Sequence, residues 1–437
     1  MDLSFLRDAA LPFDTSAGSL GPLVARLQDA RVVLIGEASH GTHEFYKVRA
    51  DLTRALITSH GFNIVAVEAD WPDAYRANRW VRHDSADTTA EAALADFTRF
   101  PRWMWRNRDV VDFLIWLREY NADRTAAARA GFYGLDLYSL HTSASAVLAY
   151  LDRVDPAAAV RARYRYGCFE DFGEDTQAYG YAATVNLTRS CEDDVVNQLM
   201  ELRRRASDYA SRDGRVAADD FFFAEQNARL VKNAENYYRT MFGGRVESWN
   251  VRDTHMMETL EALLAHVEKT SGEAKAIVWA HNSHLGDARP TQMGAGGELT
   301  LGQLVRQRFG AASRLVGFTT HTGSVTAASN WDEPAQRKRV RPSLDGSYER
   351  LFHDLALPRF VLMLDDERIA AMLPPKLERA IGVIYRPETE RMSHYFRADL
   401  AKQFDAVIRI DETRALEPLE TWSTQDADFS ETYPTGI

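Results

Sequence analysis

The acid–base residues of this 437-residue chain gather at the ends of short apolar runs. Arg31-Val-Val-Leu-Ile35 leads into Gly36-Glu37-Ala38-Ser39-His40, and Asn63-Ile-Val-Ala-Val67 into Glu68-Ala69-Asp70-Trp71. Gly131-Phe-Tyr-Gly-Leu135 ends in Asp136, and Ala276-Ile-Val-Trp-Ala280 runs straight into His281-Asn282-Ser283-His284. Arg314–Thr320 is followed by His321. Glu37-x-x-His40 spans a strand-to-helix turn, where a carboxylate can orient an imidazole and raise its basicity for general-base chemistry. A polar helix cap is the plain alternative. Glu68 ends the apolar run Ile64–Val67, and a carboxylate there is costly to bury unless paired. It is therefore an active carboxylate or half of a structural ion pair. His281-x-x-His284 fits two catalytic imidazoles, a metal pair or a polar cap. Arg49 lies nine residues beyond His40 and faces away from it on an ideal helix, yet it can reach Glu37 or Glu68 across the sheet.

The absent motifs narrow the chemistry. The chain has no GxSxG nucleophile elbow, no GxxxxGK[ST] phosphate loop and no HExxH zinc helix. Gly294-Ala-Gly296-Gly297 follows no strand, so it makes no dinucleotide fingerprint and reads as a loop beside His284, a candidate lid. Ser39 and Ser283 become nucleophiles only if a histidine activates them. Water is otherwise the default nucleophile, with a second imidazole or Arg49 available to stabilise an oxyanion. Trp71-Pro-Asp-Ala-Tyr75, Trp80 and Arg102-Trp-Met-Trp-Arg106 either line a large apolar cleft or pack helices.

The elements that must position these groups alternate in type. The strand Arg31–Gly36 is followed by Phe45, Val48, Leu52 and Leu56 at helical spacing, then by Gly61 as a stop and the strand Asn63–Glu68. Such a β-α-β unit is parallel and right-handed. Further strands are expected at 131–136, 276–280, 314–320, 359–363, 381–385 and 406–410, and helices at 109–120, 190–208, 219–241 and 252–270. The expected fold is an α/β body with a mixed, mainly parallel sheet flanked by helices. A large helical insertion is expected at about 155–270 within this single domain. Ligands of open α/β sheets bind outside the carboxyl ends of the strands, which is where the polar residues converge.

Composition agrees with a globular chain: 45% apolar and 26% charged, with a net charge of −11. An acidic chain lacks the footprint of a nucleic-acid or anionic-membrane binder. No apolar run approaches the roughly 18 residues of a bilayer span. Met1–Asp14 has no basic region followed by an apolar core, so no secretory signal is expected, and the expected location is cytoplasmic. Cys168 and Cys191 show no CxxC spacing and read as two ordinary, partly buried thiols.

The chain resembles the erythromycin esterase family in Leu34-Ile-Gly-Glu-Ala-Ser-His-Gly-Thr-His-Glu-Phe45 with Arg49 downstream. Val65-Ala-Val-Glu-Ala-Asp70, Val278-Trp-Ala-His-Asn-Ser-His-Leu-Gly286 and the tail Met392–Arg397 through Phe404–Ile410 are also similar to the family. The resemblance implies metal-independent hydrolysis of a macrolactone ester, with His40 as general base and Glu37 as its partner. It implies Glu68 as second carboxylate, Arg49 as the motif arginine, and His281 and His284 as paired imidazoles. Asp70, Trp71, Asn282 and His394 are the substrate-binding candidates. No cofactor is expected, and the partner is a small-molecule ester. Two other readings stay open. One is a metal-dependent hydrolase holding zinc or manganese on Glu37, His40, Glu68, His281 and His284. The other is a non-enzymatic small-molecule or haem-binding module.

Overall fold

A computed structural model of the chain describes residues 3–14, 18–172, 175–185, 187–210 and 215–420. Eleven strands form among them: β1 (Leu11–Pro12), β2 (Val32–Ile35), β3 (Ile64–Asp70), β4 (Gly131–Asp136), β5 (Ala276–Trp279), β6 (Ser313–Ala327), β7 (Gln336–Val340), β8 (Arg359–Met363), β9 (Lys376–Arg379), β10 (Tyr395–Ala398) and β11 (Ala406–Thr413). The main sheet runs β1-β8-β11-β6-β2-β5-β3-β4, with β7 added on β6, while β9 and β10 form a separate antiparallel pair. β2 is parallel to β5 and β6, β5 to β3, and β6 to β11. The partners of β8, and the β6–β7 pair, are antiparallel. The sheet is thus mixed and mainly parallel, and helices flank it, as the alternation of patterns predicts.

Parallel strands buried on both faces need unbroken apolar runs, and every residue of β2, β3, β4 and β5 is buried. The helix His43–His60 buries Phe45, Val48, Leu52 and Leu56, the stripe seen in the sequence, and Gly61 ends it at φ 73°.

The chain divides into two compact units. One comprises Met1–Val67, Arg76–Phe132 and Glu273–Ile437; the other comprises Glu68–Tyr75 and Tyr133–Gly272. In the second, the helix Arg215–Thr240 packs against the helices Leu140–Val154, Glu192–Arg204 and Arg245–Ser271. Helices fill 140–271, and no strand occurs there among the described residues.

Several local expectations need correction. β6 does not stop at Thr320 but continues to Ala327, because β7, a strand too polar to be read from pattern, pairs with its second half. His321 therefore lies within a strand, stacked on His353 with ring centroids 3.7 Å apart. The run 381–385 is no strand; Ile381 and Ile384 make isolated bridges to Ser39 and Ala328. The cysteines are not thiols but a Cys168–Cys191 disulfide, with Cα atoms 5.9 Å apart. Helical packing, not local spacing, brings these residues into bonding range. Among the described residues, no helix is long and apolar enough to cross a membrane.

Two predictions follow from this packing. A Cβ on Gly41 would lie 1.8 Å from the Thr326 carbonyl oxygen, and backbone cannot yield as a side-chain tip does. Gly41→Ala should lower stability by about 1–3 kcal/mol or more, read by denaturant unfolding. Thiol titration of the unfolded, unreduced protein should find no free thiol, and reductant should release both.

Candidate active site

The segment 36–42 follows β2 and is laced down on every side. The Gly36 N–H donates to the Val316 carbonyl (2.8 Å) and the His40 N–H to that of Ile381 (3.2 Å). The Glu37 carbonyl accepts from Asn282 N–H (2.8 Å), and the Gly41 carbonyl from the N–H groups of Thr326 and Leu416. Gly36 is closely packed: a Cβ there would meet Asn282 Oδ1 at 2.2 Å and the Val316 carbonyl oxygen at 3.2 Å.

This lacing fixes two side chains. His40 Nδ1 lies 2.8 Å from Glu37 Oε1. Glu37 Oε2 lies 2.7 Å from Arg49 Nη2, in an ion pair that is not aligned as a hydrogen bond. Glu37 is 1% exposed and Arg49 not at all. The guanidinium also faces the rings of Tyr46 and Trp279, at 4.3 and 5.3 Å from their centroids. Arg49 is therefore on neither a solvated face nor a substrate surface; it neutralises Glu37 from inside the fold. A carboxylate facing Nδ1 of a neutral imidazole accepts its N–H, which leaves the lone pair on Nε2.

His281 is built the opposite way. It caps the single turn Asn282–Leu285, and its Nδ1 accepts from the Ser283 N–H (3.2 Å), with Ser283 Oγ at 2.8 Å. A backbone N–H can only donate, so Nδ1 holds the lone pair and Nε2 carries the proton of the neutral ring. The His40 and His281 rings stand 4.8 Å apart, centroid to centroid. One ring thus presents a base and its neighbour a donor. Ser283 touches a histidine, but as part of this cap. The Ser39 hydroxyl bonds Thr42 Oγ1 (2.5 Å) instead. His284 is buried on the same turn.

The second unit holds the other named carboxylate. Glu68 Oε1 and Asp136 Oδ2 each lie 2.6 Å from Arg252 Nη2, and Arg252 Nε donates to Asp136 Oδ1 (2.9 Å). Burial alone would push the guanidinium down, but Asp136, Tyr138 and Glu68 raise it well above its ordinary value. Nothing in the sequence singles out Arg252, which sits mid-helix, 184 residues from Glu68. Asp70 is buried at the end of β3. Trp71 is 1% exposed and packs among Tyr75, Tyr133, Phe222 and Phe223, so it fills a core rather than lining an open surface.

Two substrate-binding candidates have other work. Asn282 Nδ2 donates to the Phe318 carbonyl (2.8 Å) and its Oδ1 accepts from the Phe318 N–H (3.2 Å), so both ends of the amide clamp β6. His394 Nε2 accepts from the Arg386 N–H (3.3 Å), and burial pushes the ring down to about 4. It packs on Tyr385. The zinc or manganese reading meets a poor donor set. Glu37 is shared by His40 and Arg49, and His281 Nδ1 is committed to Ser283. Among the described residues no group of three or more His, Cys, Asp or Glu is placed to hold a metal ion. The glycine stretch at 294–297 begins in the turn Gln292–Ala295, which Thr291 caps, with Gly294 against the Ala288 carbonyl, and ends in the exposed Gly296 and Gly297.

The chain is similar to known proteins. The erythromycin esterase family model matches residues 57–413. Erythromycin esterase type II of Escherichia coli is 21% identical over 436 residues, covering 94% of this chain and 98% of the relative. Type I of the same organism is 23% identical over 346 residues, covering 71% of this chain and 75% of the relative. A solved erythromycin esterase mutant in its open conformation superposes with TM-score 0.67 at 18% identity, over 92% of this chain and 95% of that one. A succinoglycan biosynthesis protein gives 0.74 at 19%, over 95% and 97%.

The Glu37–Arg49 pair predicts two opposite shifts. Arg49→Met leaves Glu37 buried and uncompensated, so it should cost about 3–5 kcal/mol in denaturant unfolding. It should also favour the imidazolium of His40 and move the acid limb of the pH–rate profile to higher pH. Glu37→Gln removes the negative charge and should move that limb to lower pH.

Proposed function

The chain belongs to the erythromycin esterase family of hydrolases, and from that premise we propose that it hydrolyses a carboxylic ester of the macrolactone type, with His40 as general base on water. The observation that carries this reading is the pair of oppositely arranged imidazoles, His40 held by Glu37 and His281 held by Ser283, 4.8 Å apart.

His40 Nε2 takes a proton from water as the oxygen attacks the ester carbonyl carbon. Glu37 stabilises the imidazolium that forms, and Arg49 holds Glu37 in place. The His281 Nε2–H faces the charge that develops on the carbonyl oxygen. When the tetrahedral intermediate collapses, the C–O bond breaks and the alkoxide takes the proton from His40, giving an acid and an alcohol. His284 and Glu68 enter this scheme on the family resemblance alone. Macrolide hydrolysis, and antibiotic resistance through it, is the specific form of the reading.

The test is an ester-substrate panel, macrolides included, run on wild type and His40→Ala. The variant should lose roughly 10²–10⁴-fold in kcat, the usual contribution of a positioned base. KM should change little, because the base acts in the transition state. EDTA should leave the wild-type rate intact. Full activity in His40→Ala would overturn the mechanism, as would a chelator-induced loss restored by zinc or manganese.

A further inference from the structure

The turn that carries His281 and His284 rests on a buried carboxyl group that the proposed chemistry does not use. Glu378, on β9, is 0% exposed. The amides of Gln403 and Asn282 face it. These two residues hold opposite ends of the turn. Asn282 begins it, bonded to the Glu37 carbonyl and to both main-chain polar groups of Phe318. Gln403 closes it: a Cβ on Gly286 would meet the Gln403 side chain at 2.6 Å, and the Gln403 carbonyl accepts from the Asp287 N–H (3.1 Å).

An ionised Glu378 would have two amide donors but, among the described residues, no cation acting on it. Both Glu378 carboxyl oxygens are buried without a hydrogen-bond partner of full geometry, and so is Gln403 Oε1. Glu349 Oε2 is in the same condition. Among the described residues, the one charged group acting on Glu378 is Glu349, from the helix Tyr348–His353, and it has the same sign. Arg379, the next residue, is already engaged with Glu390 and with the carbonyls of Thr320, His321 and Arg341. A fully buried carboxylate with no cation and a second carboxyl group acting on it is strongly disfavoured. One proton removes the charge and still leaves carboxyl oxygen to accept from the amides.

We propose that Glu378 is a positioning residue for the His281–His284 turn, acting as a neutral carboxylic acid that takes hydrogen bonds from the side-chain amides of Gln403 and Asn282. In that form it ties both ends of the turn to β9 without burying a charge. Burial and the neighbouring Glu349 hold the Glu378 carboxyl well above the ordinary carboxylate range, in keeping with this assignment. The consequence for catalysis rests on the hydrolase reading above; the protonation itself does not.

Two measurements keep those parts separate. The first needs no substrate. In the unfolded chain Glu378 ionises in the ordinary carboxylate range, whereas in the fold it stays neutral. Wild-type stability is therefore lost as pH rises from that range toward the folded-state value. Glu378→Gln, which imitates the neutral acid, escapes this loss. The Tm of Glu378→Gln minus that of wild type should rise steadily from pH 4 to pH 8. A difference that stays flat or falls with pH means an ionised Glu378 and overturns the proposal. The second measurement is kinetic, on whichever ester the panel identifies. Glu378→Leu should lose about tenfold or more in kcat with KM nearly unchanged, and Glu378→Gln should recover kcat to within about threefold. Wild-type kcat in Glu378→Leu, or no recovery in Glu378→Gln, overturns the positioning role. If wild type hydrolyses no ester, the functional reading fails and the Tm series still decides the protonation.

Discussion

The need to pair one buried carboxylate organises the centre of this protein. Glu37 is almost fully excluded from water, and a buried carboxylate without partners is strongly disfavoured. Arg49 meets one oxygen and His40 the other. This pairing answers two demands at once. It stabilises the charge, and it fixes which nitrogen of His40 keeps a lone pair. The arginine reaches inward only because the helix His43–His60 turns that face toward the sheet, where Tyr46 and Trp279 give the guanidinium aromatic surfaces to lie against.

The same segment could not hold this geometry alone. Between β2 and the helix, backbone groups bond to β6, to Asn282, to Ile381 and to Leu416. Such contacts require close backbone approach, which is why glycine stands at position 41, while at position 36 it leaves room for the Asn282 side chain. Asn282 is the joint between the two histidine-bearing segments, since it bonds the Glu37 carbonyl and Phe318 while beginning the turn of His281 and His284. The second unit repeats the logic with different residues. There Arg252 neutralises two carboxylates, Glu68 and Asp136, and lies over the ring of Tyr138.

Much of this was legible from residue types. Apolar runs rich in branched residues marked β2, β3 and β5, because strands buried on both faces leave no room for alternation. The stripe at Phe45, Val48, Leu52 and Leu56 marked the helix. Glu37 and His40 were legible as a pair because three residues of turn separate them, a distance local geometry controls. β7 was not legible: its Gln336-Arg-Lys-Arg-Val340 pattern is that of a solvated segment, and only the long β6 gives it a partner.

The sequence by itself determined the alternation of strands and helices, the placing of acid–base residues at strand ends, and the adjacency of Glu37 to His40. Each depends on neighbours a few residues apart, so pattern and spacing are enough. The tertiary structure alone decided that Arg49 serves Glu37, that Arg252 serves Glu68, and that Asn282 and Trp71 are spent on packing. It alone joined Cys168 to Cys191 and set the ring of His281 beside that of His40. Those pairings link residues far apart in the chain. Their partners are chosen by the compensation of buried charge and by the close packing of elements, and neither leaves a local mark on the sequence.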